Sequence, residues 1–164
     1  MILQSQKILP GNGHAAGRAL LAQMYREYTG QEMPPILIDG RGKPYWQASP
    51  LHFSISHTKG HVFCAISETP VGIDAEELDR KIDLRLAEKI LSPGELSQYR
   101  SAEDPRLALL TFWVLKEALA KSTGEGLRGY PNHTSFTLDD PRVTVIDHCL
   151  VAVVHSESAH ANTP

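Results

Sequence analysis

The sequence Phe112-Trp-Val-Leu-Lys-Glu-Ala-Leu-Ala-Lys121 predicts the central part of a long helix. Asp104 is a suitable N-cap residue, and Pro105 suits the first helical position. Apolar residues recur at helical spacing and predict a buried stripe: Leu107, Ala108, Phe112, Leu115 and Leu119. Glu117 and Lys121 are four residues apart, so they lie on one face of this helix. Alone, such a pair indicates a weak surface ion pair, and a functional interpretation needs partners elsewhere in the chain.

Two carboxylates in the segment Val71-Gly-Ile-Asp-Ala-Glu76 are candidate partners for that face. The segment follows a predicted strand at residues 62–66 and is itself predicted to be a strand. Asp74 and Glu76 are two residues apart, so on a strand their side chains point to the same side. Neighbouring carboxylates repel unless a cation lies between them, and Mg2+ commonly takes one or two carboxylates together with phosphate oxygens. The alternative is a polar strand end that leads into an exposed acidic loop.

Groups that bind phosphate occur in two upstream segments. In Leu51-His-Phe-Ser-Ile-Ser-His-Thr58 the alternation of apolar and polar residues predicts a half-buried strand that brings Ser56 and His57 to its end. The turn-rich segment Asp39-Gly-Arg-Gly-Lys-Pro44 contains Lys43, and its glycines let the backbone approach a ligand closely. Hydroxyl, imidazole and ammonium groups all donate hydrogen bonds to phosphate oxygens. Each segment alone is also explained as an ordinary solvated turn.

Together, and in this order, these segments resemble the 4'-phosphopantetheinyl transferases of the surfactin-synthetase-activating type. The matching segments are Gly42-Lys43-Pro44, Phe53-Ser-Ile-Ser-His57, Gly72-Ile-Asp-Ala-Glu76, Trp113-Val-Leu-Lys-Glu-Ala-Leu-Ala-Lys121 and Gly124-Glu-Gly-Leu127. Leu91-Ser-Pro-Gly-Glu95 is also similar to the family, and it predicts a capping box with Ser92 as N-cap and Glu95 at the third helical position. The resemblance extends from about residue 40 to residue 136, and family members are usually longer at the N-terminus.

The resemblance implies an α+β fold of two similar subdomains, each a helix with an antiparallel sheet, related by a pseudo-twofold axis. A faint internal repeat supports the same organisation. Residues 19–30 resemble 108–124, and residues 61–67 resemble 148–156. We therefore expect a shortened N-terminal subdomain at residues 1–74 and a C-terminal subdomain at residues 75–164, with the active site in the cleft between them. Chance similarity of two helix-and-strand units is the alternative.

For function, the resemblance implies transfer of the 4'-phosphopantetheine arm of coenzyme A to a serine hydroxyl of an apo acyl or peptidyl carrier protein, with release of adenosine 3',5'-bisphosphate. The implied ligands of Mg2+, with Mn2+ as an alternative ion, are Asp74, Glu76 and Glu117. Glu117 would also accept the serine proton, and Lys121 would stabilise phosphate charge. The implied contacts to coenzyme A are Lys43, Ser56, His57, Lys116 and Arg18. Of these, Lys116 projects about 100° away from Glu117 around the helix.

Two other classes of function remain open from the sequence. One is a non-catalytic homologue that binds coenzyme A or a carrier protein. The other is a different Mg2+-dependent nucleotide phosphotransferase or hydrolase, which would consume coenzyme A without a carrier. The presence of Asp74, Glu117 and Lys121 together argues against a non-catalytic copy.

Composition constrains the partners and the compartment. The chain has 164 residues and a net charge of -3, a balance that argues against a nucleic-acid-binding surface. Membrane-spanning apolar runs are lacking, and the start Met1-Ile-Leu-Gln4 has no basic residues typical of a secretion signal. Cys64 and Cys149 lack metal-ligand spacing and are interpreted as buried free thiols. These features predict a cytoplasmic protein without nucleic-acid or membrane partners, and two internal halves would make a monomer sufficient.

The segment from residue 78 to residue 91 predicts a basic amphipathic helix. Ile82, Leu86 and Ile90 are four residues apart, and basic residues lie between them. Such a helix beside the active site would suit docking of an acidic carrier protein. The alternative is a cap over the second core with solvated charges.

Overall fold

Antiparallel sheets and helices occur together along the chain, which confirms the predicted α+β class. The computed structural model describes residues 1–126 and 134–156. Within these residues the strands are β1 (Ile2–Lys7), β2 (Ile36–Ile38), β3 (Pro44–Trp46), β4 (His52–His57), β5 (His61–Ser67), β6 (Val71–Glu77), β7 (Val143–Ile146) and β8 (Cys149–His155). The helices are α1 (Gly13–Thr29), α2 (Ala87–Ile90), α3 (Pro93–Ser101) and α4 (Pro105–Thr123), with a 3-10 turn at Leu84–Leu86. The strands and the long helix predicted around the motifs are confirmed.

The strands form two larger sheets that share one connectivity. The first has the order β1-β5-β4 and the second the order β6-β8-β7, while β2 and β3 form a separate hairpin. In each larger sheet the central strand is the last of its strands along the chain, and the first strand lies on one side of it. β6 pairs with β8 without interruption from Val71 to Glu77, so the predicted boundary between residues 74 and 75 falls inside a strand. The pseudo-twofold relation between two subdomains stays a prediction.

Serine side chains join the two larger sheets where β4 lies beside β6. The Ser54 hydroxyl accepts a hydrogen bond from the Ile73 amide at 3.1 Å, and the Ser56 hydroxyl accepts one from the Ala75 amide at 3.1 Å. Both serines are buried. These bonds satisfy edge-strand amides of β6 that have no ladder partner on this side. We call this junction the serine seam.

Helix α4 packs on β6 with its backbone in direct contact with Gly72. A Cβ atom at Gly72 would overlap the Ala118 carbonyl oxygen and would lie 2.5 Å from the Ser122 amide nitrogen. Asp104 caps the start of α4 by accepting a hydrogen bond from the Leu107 amide at 2.9 Å, as predicted. Gly124 ends the helix in the left-handed conformation, at a φ of 74°. The glycine in the Gly-Ile-Asp segment is therefore required by close packing rather than by a turn.

Apolar residues form a core on both sides of this contact. One cluster lies under α4 and includes Leu109, Leu110, Phe112, Leu115 and Ala118. A second lies between α1 and the first sheet, and a third joins the two sheets through Phe63, Val71 and Ile73. Both cysteines are buried free thiols, as predicted. Across the two stretches that the structure describes, no helix has the length and apolar character needed to cross a membrane.

The predicted basic amphipathic helix over residues 78–91 is wrong. The segment contains only the 3-10 turn and the four-residue helix α2. Arg106 donates hydrogen bonds to the Leu78 and Arg80 carbonyl oxygens, which fixes the first part of the segment outside a helix. The residues at four-residue spacing, Ile82, Leu86 and Ile90, pack against the core cluster under α4. This packing agrees with a cap over the core, and carrier docking on the segment stays a prediction.

Glu95 lies at the centre of a buried polar network. The predicted capping box is confirmed, because the Ser92 amide donates to the Glu95 carboxylate at 2.8 Å and the Glu95 amide donates to the Ser92 hydroxyl at 3.3 Å. The same carboxylate accepts a hydrogen bond from the Phe136 amide at 2.9 Å and pairs with Lys116 at 2.8 Å. Glu95 has no exposed surface. One side chain thus connects α3, α4 and the segment before β7.

Replacing Gly72 with alanine tests the close packing of α4 on β6. We expect Gly72→Ala to lower the free energy of unfolding by about 1–3 kcal/mol, since the helix must move away from the strand. Gly94→Ala is the control, because a Cβ at Gly94 meets no atom within 4 Å. Urea denaturation followed by circular dichroism measures both. Equal effects at the two positions would contradict the packing.

Removing the Glu95 carboxylate tests the buried network. Glu95→Ala should lower the free energy of unfolding by about 3–5 kcal/mol, because it breaks a buried ion pair and removes the acceptor of two backbone amides. Glu88→Ala, which breaks the exposed pair with Arg100, should cost about 1 kcal/mol or less. Urea denaturation curves provide the comparison. A loss for Glu95→Ala as small as that for Glu88→Ala would contradict the role of the network.

Candidate active site

A cavity of about 670 Å³ lies between α4, β4, β6, the start of α1 and the loop before β3. The sequence-predicted site residues that line it are Arg18, Lys43, Ser56, His57, Asp74, Glu76, Glu117 and Lys121. They come from five separate parts of the chain. The fold therefore brings all of the predicted site residues except Lys116 to the lining of one cavity.

Lys116 lies outside the cavity. It is only 5% exposed, and its ammonium pairs with Glu95 at 2.8 Å within the buried network. It also donates a hydrogen bond to the Thr134 carbonyl oxygen at 3.2 Å. Successive helical residues are about 100° apart, so Lys116 and Glu117 project from α4 in different directions. Lys116 thus pairs within the buried network in this structure, and its contact with coenzyme A stays a prediction.

Asp74 and Lys121 form the central ion pair of the cavity. The Lys121 ammonium donates to Asp74 Oδ1 at 2.7 Å, to the Ile73 carbonyl oxygen at 3.0 Å and to the Ser56 hydroxyl at 3.3 Å. The second carboxylate oxygen, Asp74 Oδ2, is buried and has no hydrogen-bond partner in the part of the chain that the structure describes. A buried carboxylate oxygen without a donor is a favourable ligand for a cation.

Ser56 serves the seam and the ion pair at the same time. Its hydroxyl donates to Asp74 Oδ1 at 3.1 Å, and it accepts from the Ala75 amide and from Lys121. One donor and two acceptor positions are the full capacity of a hydroxyl group. In this structure the group thus holds Asp74 in place, and its predicted contact with a coenzyme A phosphate stays a prediction.

Glu117 lies half-buried on α4, one helical turn before Lys121. Burial raises the pKa of Glu117, and the negative charge of Asp74 raises it further, while the charges of Lys121 and Arg80 act in the opposite direction. Asp74 is therefore close enough to Glu117 for its negative charge to disfavour the ionised form of Glu117. This repulsion, together with the unpartnered oxygen of Asp74, fits a site for a hard divalent cation.

Glu76 lines the same cavity but is paired with Arg80. The contact joins Arg80 Nη1 to Glu76 Oε1, and the Glu76 side chain is 21% exposed. Within residues 1–126 and 134–156, no three His, Cys, Asp or Glu side chains are grouped closely enough to hold a metal ion. The three predicted ligands Asp74, Glu76 and Glu117 thus share a cavity, and Glu76 pairs there with Arg80.

Two imidazoles and an arginine also line the cavity. The His14 and His57 rings lie edge to face with centroids 4.9 Å apart, and Arg18 lies one turn after His14 on α1. Burial lowers the pKa of His57, and the charges of His14 and Lys121 lower it further. Gly13 gives the His57 ring its place, because a Cβ there would lie 2.6 Å from His57 Cγ. His14 was missed from the sequence, although its four-residue spacing from Arg18 was a usable signal.

Lys43 reaches the end of α4 from the loop before β3. Its ammonium donates a hydrogen bond to the Ser122 carbonyl oxygen, and burial lowers its pKa. A cation there interacts favourably with the negative end of the helix dipole. Arg41 in the same loop pairs with Glu125 at 3.4 Å. The loop thus closes one side of the cavity through two contacts with the end of α4.

The chain is similar to one known protein superfamily. A family model of the 4'-phosphopantetheinyl transferase superfamily matches residues 70–161, more than half of the chain. The chain belongs to this superfamily. Four cavity residues, Asp74, Glu76, Glu117 and Lys121, lie inside the matched range. The resemblance predicted from the motifs is confirmed.

Individual members of the superfamily are also similar to the chain. The 4'-phosphopantetheinyl transferase psf-1 of Bacillus pumilus is 33% identical over 150 residues, which cover 87% of this chain and 64% of the relative. The 4'-phosphopantetheinyl transferase HetI of Nostoc sp. is 35% identical over 122 residues, or 68% and 52% of the two chains. The 4'-phosphopantetheinyl transferase gsp of Aneurinibacillus migulanus is 36% identical over 100 residues, or 60% and 40%. The chain thus spans about two fifths to two thirds of the length of these curated relatives.

The raised pKa of Glu117 predicts how stability depends on pH. Folding raises this pKa above the ordinary value of 4.5, so the ionised carboxylate destabilises the fold once the pH exceeds that value. In the presence of a chelator, Glu117→Gln should therefore raise the melting temperature near neutral pH, and the gain should shrink as the pH falls toward 4.5. Thermal denaturation at several pH values measures the effect. Glu103→Gln, at an exposed position, is the control, and a pH-independent gain for Glu117→Gln would contradict the prediction.

Proposed function

We propose that the chain transfers the 4'-phosphopantetheine arm of coenzyme A to a serine hydroxyl of an apo carrier protein and releases adenosine 3',5'-bisphosphate. The observation that carries the proposal is the distribution of charge in the cavity. Carboxylates and Lys121 line the cavity together with His14, Arg18, Lys43 and His57. Coenzyme A has a pyrophosphate and a separate 3'-phosphate, so a cavity that binds it needs several groups that donate hydrogen bonds to phosphate oxygens. Membership of the superfamily supports the same assignment.

The reaction is proposed to depend on Mg2+, with Mn2+ as an alternative ion. Asp74, Glu117 and Glu76 would hold the ion, and the unpartnered Asp74 Oδ2 and the repulsion between Asp74 and Glu117 support this choice. When bound, the ion supplies positive charge to the pyrophosphate oxygens. Glu76 would join the set only by leaving Arg80.

The remaining chemistry belongs to side chains of this protein. Glu117 would accept the proton of the carrier serine, and its raised pKa makes the carboxylate a better base than an ordinary glutamate. Lys121 would share its positive charge between Asp74 and the phosphate that is transferred. His57, Arg18 and Lys43 would bind the other phosphate of coenzyme A and orient it. Positioning and charge neutralisation account for the rate, as is general for phosphoryl-type transfer.

The finer features of the protein are part of the same proposal. The acceptor is an apo acyl or peptidyl carrier protein, the protein acts as a cytoplasmic monomer, and the two larger sheets with their helices represent two subdomains. The shared connectivity of the sheets supports this organisation, with the division before β6 rather than at residue 74. The cavity would then lie between the subdomains.

A carrier mass-shift assay tests the proposed function. The protein, coenzyme A, Mg2+ and a panel of apo carriers are incubated, and at least one carrier should gain the mass of one phosphopantetheine arm. Glu117→Gln and Asp74→Asn should lower the rate by about 10²–10⁴-fold while circular dichroism shows an intact fold. Asp139→Asn, at an exposed position outside the cavity, should keep full activity.

Other outcomes of this assay identify the alternative functions. Consumption of coenzyme A without a carrier would indicate a nucleotide phosphotransferase or hydrolase. Binding of coenzyme A without any turnover across the panel would indicate a non-catalytic homologue. Full activity of Glu117→Gln would contradict the assignment of the base.

A further inference from the structure

Arg80 is a charged residue beside the cavity to which the proposed chemistry assigns no role. Its guanidinium pairs with Glu76, which lies four residues earlier at the end of β6. Its side chain is 37% exposed, so it lies at the edge of the cavity rather than in the core. The Arg80 guanidinium therefore contacts the carboxylate of Glu76, which is one of the proposed metal ligands.

Arg80 is held in this position from two directions. Its guanidinium carbon lies 5.6 Å from the centroid of the Trp113 ring, within the range of a cation–π interaction. The backbone of Arg80 is fixed by two hydrogen bonds. The Arg80 amide donates to the Glu77 carbonyl oxygen at 2.9 Å, and the Arg106 guanidinium donates to the Arg80 carbonyl oxygen at 3.3 Å. The position of the guanidinium is thus determined by the fold, and the pairing with Glu76 is more than an occasional surface contact.

Trp113 connects Arg80 to the other carboxylates. It lies on α4 one helical turn before Glu117, so the guanidinium stacked on it stays near both Glu76 and Glu117. The positive charge of Arg80 acts on Glu117 as well as on Glu76. Arg80 therefore offsets part of the repulsion among the carboxylates of the cavity.

We propose that Arg80 is a positioning residue that competes with the divalent cation for Glu76 and thereby sets the metal affinity of the site. The inference rests on the proposed metal site of the transferase. In the structure Glu76 pairs with Arg80, and within the described residues Glu76 does not form a close group of three carboxylates with Asp74 and Glu117. Metal binding requires the Glu76 carboxylate to exchange one cation for another, while the Trp113 ring retains the guanidinium at the edge of the cavity.

Measuring Mn2+ affinity tests the competition without coenzyme A or a carrier. The free ion is followed by electron paramagnetic resonance at fixed pH and ionic strength. Arg80→Gln should bind Mn2+ about threefold to tenfold more tightly than the wild type, because the ion no longer displaces an ion pair. Arg80→Lys should lie between the two, since an ammonium pairs with Glu76 as a point charge but lacks the planar fork of donors of the guanidinium.

Two controls separate competition from a general effect of charge. Arg85→Gln removes the same charge from the same segment, but Arg85 pairs with Asp83 at 2.7 Å and does not line the cavity, so its Mn2+ affinity should equal that of the wild type. In a Glu76→Gln background, Arg80→Gln should change the affinity by less than about twofold, because the shared partner is absent. Circular dichroism confirms that each variant is folded.

The inference is overturned if Arg80→Gln leaves the affinity unchanged or weakens it, or if the full gain persists without Glu76. It is also overturned if the wild type and Arg80→Gln both lack saturable Mn2+ binding. Failure of the carrier assay has no bearing on these measurements. A protein without transferase activity that still gains affinity through Arg80→Gln would keep the competition and lose only the proposed reaction.

Discussion

The backbone contact between α4 and Gly72 is the constraint on which the rest of the site depends. Because no side chain separates the helix from β6, Lys121 comes within 2.7 Å of Asp74 and Glu117 lies over the same strand. The serine seam fixes the position of β4 relative to β6, because the Ser56 hydroxyl bonds the Ala75 amide and the Asp74 carboxylate. Residues from the N-terminal and C-terminal parts of the chain thus meet in one cavity because α4 and β4 both contact the backbone of β6.

Two of the three carboxylates that line the cavity have a cationic partner, and the third is half-buried beside another carboxylate. Asp74 has Lys121 and Glu76 has Arg80, whereas burial and the neighbouring Asp74 disfavour the charge of Glu117. Lys121 uses all three of its donors on protein atoms, so an incoming phosphate has to share it with Asp74. This arrangement of charge supports the proposed ligand set of a divalent cation and phosphate groups.

Local signals explain what was predictable from the sequence. The caps and apolar stripe of α4 and the alternation in β4 depend on neighbouring residues, and the structure contains each element. The helix over residues 78–91 failed because four-residue apolar spacing also suits a turn-rich cap, and contacts from Arg106 decide between them. The pairing of Lys116 with Glu95 depends on the packing of α3 against α4, which no local pattern encodes. The contacts of His14 with His57 and of Arg80 with Trp113 join residues far apart in the sequence, so no local pattern encodes them.

The saturated hydroxyl of Ser56 has a mechanical consequence. One oxygen atom bonds the amide of β6, the carboxylate of Asp74 and the ammonium of Lys121. A hinge motion that separated the two larger sheets would break these three bonds together and would move Ser56 away from the charges of Asp74 and Lys121. The seam therefore couples the two larger sheets through three bonds at one atom, whereas the loop that carries Lys43 is joined to the end of α4 by one hydrogen bond to a carbonyl oxygen and one exposed ion pair.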